Sequence, residues 1–216
     1  MEKTKIISAL KELRNSKKRN FEQSVDLIIL LKNIDLKKTE NQKELFLTLP
    51  KPLGKNFKVC AFVGLETYEE AKNNCEKVIL DKELEDYAKN TRLMRKIARE
   101  YDFFIAQANI MPQVASVFGK VLAPRGKMPN PKAGSIFPPK AALKPIVSKL
   151  KNTVKISIKK NPMVQVLVGT EKMSDEDLAE NITAVYEYVV HNLPGGKNNI
   201  RGVLLKLTMS PPVKLE

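Results

Sequence analysis

The sequence has few of the residues that most enzymes and cofactor sites use. It contains no tryptophan, one histidine (His191) and two cysteines (Cys60 and Cys75) in 216 residues. Two cysteines cannot form a disulfide framework, and their spacing does not match a CxxC metal site. We therefore expect two small buried thiols, no metal and no cofactor. His191 lies at the end of a predicted helix, where a cation is favoured without any catalytic role.

Phosphate-binding loops are also missing. A nucleotide loop of the form GxxxxGK[ST] needs a hydroxyl directly after its lysine. Gly126-Lys127 is followed by methionine and Gly196-Lys197 by asparagine. The chain contains no GxSxG nucleophile turn, and no GxGxxG follows a predicted strand. We therefore predict that the protein is not an enzyme. The alternative is a nucleotide-dependent enzyme built on the middle of the chain.

No apolar run approaches the length of about 20 residues that a membrane helix needs. The first residues, MEKTKIISALKELRNSKK, mix acids and bases and lack the apolar core of a secretion signal. These features predict a cytoplasmic protein with no membrane partner.

Positive charge is what the sequence has in excess. Lysine and arginine number 38 against 24 acidic residues, a net charge of +14, and 43% of the residues are hydrophobic. Such a chain can bury a core and still attract polyanions, because phosphate contacts release counterions. Nucleic acid is therefore the first partner to consider. The alternative is a basic protein that coats membranes or any nucleic acid without preference.

The two ends of the chain share one pattern and the middle has another. Near the ends, SVDLIILL, TVKISI and MVQVLVG alternate apolar with polar residues, which is typical of strands with one buried face. Ser174 begins the clearest helix, which continues to about His191. In the middle, the apolar stretches KVCAFVG, VIL and FFIA are separated by helical segments. This alternation predicts a parallel α/β layer.

Residues 119–134 read GKVLAPRGKMPNPKAG and concentrate cations, prolines and glycines. We call this stretch the signature segment. It is typical of a phosphate-gripping loop, an RNA-facing loop or a rigid connector, since proline fixes φ and glycine permits tight turns. Its four cations are Lys120, Arg125, Lys127 and Lys132.

Several residues near the ends suit an RNA surface, and each has a structural alternative. Phe21 can stack on a base or pack in the core, and Ser24 can bond a 2′-hydroxyl or simply lie at a strand edge. Met209 can approach RNA or fill a core gap. Polar residues on one face of two neighbouring strands form either an RNA face or an ordinary solvated face: Lys155, Ser157, Lys159 and Gln165.

The segment GKVLAPRGKMPNPKAGSI resembles the signature of the ribosomal protein L-one family, the large-subunit protein of the mobile stalk beside the tRNA exit site. FEQSVDLIILL, LTLPKPLGKNFKVCAFVG, MVQVLVGTEKMSDEDLAENI and LTMSPPVKL resemble further family segments in the same order. MVQVLVG and TMSPP are similar to the archaeal type.

The resemblance implies an α+β two-domain protein. Both chain ends, residues 1–66 plus 153–216, would form a split α+β sheet domain that binds RNA. Residues 67–152 would form an inserted three-layer α/β, Rossmann-like domain. The signature segment would then be either a structural connector or an auxiliary RNA contact through its four cations.

By resemblance, specific RNA contact falls on Phe21, Ser24, Gln165, Thr208, Met209 and Ser210. Gln165 stands where bacterial relatives carry histidine, and Ser210 where they carry glycine. On physical grounds we add Lys37, Lys38 and Lys159 as phosphate partners.

The implied function is that of a structural constituent of the large ribosomal subunit. The implied partners are the stalk region of large-subunit rRNA, the exit-site tRNA whose release the protein would assist, and a similar fold in its own mRNA, whose translation it would repress. We expect a monomer when free, located in the cytoplasm and on the ribosome.

Overall fold

The computed structural model describes residues 2–15, 17, 19–36, 41–139, 141–159 and 161–215. The predicted phosphate partners Lys37 and Lys38 lie outside this range. The helices and strands, in chain order, are α1 (Lys3–Arg14), β1 (Ser24–Leu31), β2 (Lys43–Thr48), β3 (Val59–Val63), α2 (Tyr68–Asn74), β4 (Lys77–Leu80), α3 (Leu84–Lys89), α4 (Thr91–Glu100), β5 (Phe103–Gln107), α5 (Met111–Leu122), β6 (Ile136–Phe137), α6 (Leu143–Lys151), β7 (Thr153–Ile158), β8 (Met163–Thr170), α7 (Asp175–Asn192), β9 (Ile200–Leu207) and β10 (Val213–Lys214).

The chain divides into two compact units. The first unit comprises residues 1–55 and 152–216, and the second comprises residues 56–151. The first division falls before residue 66, where the family resemblance implied the boundary. The difference concerns β3, which pairs with β4 and β5 and therefore belongs to the second unit. The pattern in the middle of the chain already groups this strand, in KVCAFVG, with the parallel layer.

The first unit is built on an antiparallel sheet of order β10-β9-β1-β8, with β2 and β7 forming a separate antiparallel pair. Alternate residues of β1 are buried, beginning with Val25 and ending with Leu31. The period of two follows from the pleat, which points successive side chains to opposite faces. Ser24, Asp26 and Ile28 therefore share the opposite, partly exposed face of the sheet, which we call the open face.

Helices α1 and α7 contact each other, and they pack against β9 and β8 respectively. Their buried residues recur at helical spacing: Ile6, Leu10 and Leu13 in α1, and Leu178, Ile182, Val185 and Val189 in α7. The side chain of Ser174 accepts the N–H of Asp177 and so caps α7, as predicted. The first unit thus has helices on one face of its sheet and leaves the other face open.

The second unit has three layers. Its sheet is parallel, of order β4-β3-β5-β6. Residues of α3, α4 and α5 form a core with one face of β3, around Phe62 and Phe118. Residues of α2 and α6 form a second core with its other face, around Val63 and Leu143. All five residues of β3 are buried, as a strand covered on both faces requires. The predicted fold class is confirmed.

Candidate nucleic-acid interface

A hydrogen bond between two chain segments joins the start of β1 to the end of β9. The N–H of Ser24 donates to Oγ1 of Thr208 at 3.1 Å. These residues are 184 positions apart in sequence, and the register Val25–Leu207 brings them together. The candidate site residues Ser24 and Thr208 therefore lie side by side at one end of the sheet.

Gln23 holds the next residue, Met209, in place. Its side chain is 1% exposed, and its Oε1 accepts the N–H of Met209 at 3.1 Å. Its backbone carbonyl accepts the N–H of Glu171 at 2.9 Å, which also ties it to the segment after β8. A buried amide with fixed partners orients the backbone around it, because an unpaired one would be costly. Sequence reasoning missed Gln23; its only signal is a polar residue directly before an alternating strand.

Phe21 and Met209 are two of the large apolar side chains that the structure exposes to solvent, at 51% and 58%. Core packing, the structural alternative for each, is therefore excluded. Phe21 lies shortly before Ser24 in the sequence, and Met209 lies directly after Thr208. We call Phe21, Ser24 and residues 208–210 the tip cluster. An exposed aromatic ring such as that of Phe21 can stack on an unpaired base, and the exposed Met209 offers an apolar contact.

Ser210 uses its side chain within the chain. Its Oγ accepts the N–H of Leu207 at 2.9 Å and donates to the carbonyl of Pro211 at 3.0 Å. Its own N–H donates to the carbonyl of Leu207 at 3.3 Å, which closes a turn after β9. The serine hydroxyl is thus directed into the turn, where it fixes the backbone next to Met209.

Lys159 and Gln165 line a second feature, a shallow hollow of about 410 Å³. The other lining residues are Lys155, Ser157, Asn161 and Met163. Gln165 lies opposite Ile28 on β1, and Ser24 is four residues earlier on that strand. At about 3.3 Å per residue, the hollow and the tip cluster are roughly 13 Å apart along the open face.

Glu44 neutralises part of the charge at this hollow. Its carboxylate lies 2.6 Å from the ammonium of Lys159 and 2.9 Å from that of Lys155. The hydrogen bonds from Lys159 and Lys155 lower the pKa of Glu44 below its ordinary value, so it is charged at neutral pH. A phosphate at this hollow would compete with Glu44 for both lysines. Nothing in the sequence pointed to this pairing, since Glu44 and Lys159 are remote along the chain.

A similar pair lies near the tip cluster. The carboxylate of Glu22 is 2.8 Å from the ammonium of Lys172. This hydrogen bond is the main cause of a lowered pKa for Glu22. Acidic groups thus balance several of the first unit's cations, and its surface is less one-sided than the net charge of the chain implies.

The signature segment begins in the last turn of α5, at residues 119–122, and continues through most of the connection to β6 inside the second unit. Gly126 and Gly134 have φ of +67° and +71°, a region that glycine enters without steric cost. Between them, Oδ1 of Asn130 accepts the N–H of Lys132 at 2.9 Å. The ammonium of Lys127 donates to the carbonyls of Ala98 and Tyr101 at the end of α4. This lysine therefore stabilises a helix terminus, which is a structural use of the segment.

The other three cations of the segment, Lys120, Arg125 and Lys132, are exposed. Within the described ranges they make no ion pair with an acidic side chain. Their role as auxiliary phosphate contacts stays a prediction, and they belong to a different unit from the tip cluster.

Neither a metal site nor a membrane-spanning helix is found in the part of the chain that the structure describes. No group of three or more histidine, cysteine, aspartate or glutamate side chains there is arranged to hold a metal ion. None of the described helices combines the length and the apolar character needed to cross a membrane.

Comparisons with known proteins agree with the sequence resemblance. A family model described as "Ribosomal protein L1p/L10e family" matches residues 13–211. The proteins named "Large ribosomal subunit protein uL1" include one from Pyrococcus horikoshii that is 45% identical over 217 residues, covering 100% of this chain and 97% of that protein. Those from Methanothermococcus thermolithotrophicus and Methanothermobacter thermautotrophicus are 44% and 41% identical, covering 100% and 97% of this chain and 100% and 98% of theirs. The chain therefore belongs to the ribosomal protein L1p/L10e family, whose members are ribosomal proteins and not enzymes.

Proposed function

We propose that this chain is a protein of the large ribosomal subunit that binds the stalk region of large-subunit rRNA through the tip cluster. The observation that carries the proposal is the exposure of Phe21 and Met209 on either side of the fixed Ser24–Thr208 bond. Family membership supports a ribosomal location and an rRNA partner.

The tip cluster suits a folded RNA better than a uniform duplex. Phe21 and Met209 offer apolar surfaces to bases that are unstacked, which duplex RNA does not present. The backbone around them is held by Gln23 and by the Thr208 hydroxyl, so little ordering is needed on binding. The net charge of +14 adds attraction that does not depend on sequence.

Two finer roles belong to the proposal. Bound to the stalk, the protein would assist the release of deacylated tRNA from the exit site. Free protein in excess would bind a similar fold in its own mRNA and repress translation. The physical basis of the second role is competition, because the tighter rRNA site fills first and only the excess reaches the mRNA.

The first experiment is a titration of the full chain with three nucleic acids at two salt concentrations. The ligands are a stalk fragment of large-subunit rRNA, a scrambled RNA of equal length and a DNA duplex of matched length. We expect a preference for the stalk fragment that persists at the higher salt. Equal, salt-sensitive binding to all three would show a basic surface without recognition and would overturn the proposal.

The regulatory role is tested separately, with the protein's own transcript against a scrambled transcript. Preferential binding that a stalk fragment displaces is the expected result. A transcript bound no better than its scrambled form would remove the regulatory role and leave rRNA binding intact.

A further inference from the structure

Helix α4 in the second unit carries an exposed basic face. Four exposed cations lie along its ten residues, TRLMRKIARE. We call them the α4 cations: Arg92, Arg95, Lys96 and Arg99. They line an open hollow of about 750 Å³ together with Asn90, Leu93 and Glu100.

No ion pair with an acidic side chain engages any of the α4 cations within the described second unit. Acids are nearby in sequence, since Glu83, Glu85 and Asp86 precede the helix and α3 contacts α4. Asp86 pairs instead with Lys89, at 3.6 Å. The α4 cations therefore lie near acids of the same layer without forming an ion pair with them in the described second unit.

The arrangement works against the stability of the helix itself. Arg92 and Lys96, like Arg95 and Arg99, are four residues apart, and like charges at this spacing repel. The first turn contains Arg92 and no acid, although the positive end of the helix dipole favours an acid there. Arg99, in the last turn, does suit the helix dipole. The repulsion among the four cations is still not offset by an ion pair in the described second unit, which favours a partner of opposite charge.

We propose that the α4 cations bind the sugar–phosphate backbone of RNA without regard to sequence, as a contact separate from the tip cluster. The inference rests on the proposed function, in which the partner is RNA. Three of the four cations are arginines, whose planar fork fits phosphate oxygens. From Arg92 to Arg99 the helix rises about 10 Å, so adjacent phosphates of one backbone lie within reach of these side chains.

Two other partners fit this surface less well. A helix that lies on a membrane inserts an apolar face, but Met94, Ile97 and Ala98 are buried in the core of the unit. A protein interface has an apolar centre, and Leu93, at 40% exposed, is the large apolar side chain exposed on α4. The surface formed by the α4 cations is therefore best matched by the phosphates of RNA.

The test compares a double variant, Arg92→Ala with Arg99→Ala, with a control that removes the same charge elsewhere. Lys72→Ala with Lys144→Ala is a suitable control, because these exposed lysines lie on α2 and α6 across the sheet from α4. Each full-length protein is titrated with the stalk fragment and with an unrelated RNA duplex over a range of salt. Thermal melts without RNA verify that both variants fold.

We expect the α4 variant to lose affinity about 10-fold for both RNAs at low salt. Its slope of log K against log salt should fall by about 2, and its ratio of affinities for the two RNAs should stay unchanged. The control should change affinity by no more than about 2-fold, because it lies outside the proposed contact. The melting temperature of the α4 variant should stay about the same, because Arg92→Ala removes a cation from the unfavourable end of the helix dipole and Arg99→Ala removes one from the favourable end.

An α4 variant that behaves like the control on the unrelated duplex would overturn this inference. The inference would also be overturned if the α4 variant lost binding to vesicles containing phosphatidylserine and still bound both RNAs as tightly as the unaltered protein. The proposed function fails in a different way, when the unaltered protein shows no preference for the stalk fragment over the duplex. The two proposals are thus judged by different measurements in the same titrations.

Discussion

At the scale of single residues, a few side chains decide how the tip cluster is held. The Thr208 hydroxyl accepts the N–H of Ser24, and the buried Gln23 accepts the N–H of Met209. These bonds connect segments that lie 184 and 186 positions apart. The consequence is an exposed Phe21 and Met209 on a backbone that is already ordered before any partner binds.

Thr208→Val tests this arrangement with little change in shape. Loss of the hydroxyl leaves the Ser24 N–H without its partner, and we expect binding to the stalk fragment to weaken by about 1–3 kcal/mol. The salt slope should hardly change, because no charge is removed. Titration at several salt concentrations measures both quantities.

Thr183→Val is the matched control for this variant. The Thr183 hydroxyl donates to the carbonyl of Ala179 within α7, away from the tip cluster. The Thr183→Val variant should bind the stalk fragment with unchanged affinity. Equal losses from Thr208→Val and Thr183→Val would contradict the assignment of Thr208 to the interface.

Asp26 is a second residue of interest, because its carboxyl should make the stability of the first unit depend on pH. It lies on the open face, opposite Lys206 and Leu167, and burial raises the pKa of its carboxyl above the ordinary value, despite Lys206. A raised pKa means that the folded state favours the protonated form. The contribution of the Asp26 carboxyl to the free energy of unfolding is therefore fully present below its pKa in the unfolded chain, near 4. It is lost as the pH rises through its pKa in the folded protein.

Asp26→Asn should therefore be more stable than the natural chain at pH 7, with the difference shrinking at pH 3. Hydrogen-exchange protection of the amides of β1 and β9 at the two pH values measures this within the first unit. A variant that is less stable at pH 7 would show that the attraction of Lys206 outweighs the desolvation of Asp26.

At the scale of elements, the β2–β7 pair shows that a basic strand need not present free charge. TVKISIKK carries lysines on its polar face, and the register places Glu44 of β2 opposite Ser157. The carboxylate reaches Lys155 and Lys159 from there. Their availability to phosphate is thus set by a residue on a different strand.

Glu44→Gln should release both lysines for RNA. We expect tighter binding to all RNAs at low salt and a salt slope steeper by about 1 to 2, since up to two further phosphates become neutralised. Glu12→Gln, at an exposed position of α1 with the same change of charge, is the control. If both variants shift binding equally, the effect is one of net charge and the hollow is not an RNA contact.

The signature segment is another basic stretch in which part of the charge serves the fold. Its prolines and glycines build a connector from α5 to β6, and Lys127 stabilises the end of α4. A conspicuous basic stretch thus includes a cation engaged in structure. The less conspicuous RLMRKIAR of α4 has four exposed cations without an ion pair among the residues that the structure describes, because its apolar residues face the core.

At the scale of the whole molecule, the two units have separate cores and different sheet types, so each can be followed by its own probe. Both cysteines belong to the second unit and are buried among its apolar residues. Burial raises the pKa of the Cys60 thiol, and it raises that of Cys75 to about 12. Thiols in such surroundings are inert while the fold persists.

We expect both thiols of the native protein to react with Ellman's reagent at pH 8 on the order of 1,000-fold more slowly than a free thiol, because so little thiolate is present. In concentrated guanidinium chloride both should react rapidly. The rise of reactivity with denaturant would then report unfolding of the second unit alone. Rapid labelling of either cysteine without denaturant would contradict the burial described above.

The sequence by itself determined a large part of this protein. Local alternation predicted β1, β7 and β8, helical spacing and a serine cap predicted α7, and the order of family segments identified the fold class. These features are local or follow from similarity, so they need no knowledge of contacts. The absence of phosphate-loop spacing likewise directed the interpretation towards a binding protein.

Only the tertiary structure decided how distant residues meet. It placed Ser24 beside Thr208, bonded Gln23 to the backbone of Met209 and put Glu44 between two lysines. Such contacts depend on strand register and strand order, which one chain segment does not encode alone. The same holds for exposure: Phe21 and Met209 are apolar residues like any in the core, and only packing leaves them on the surface.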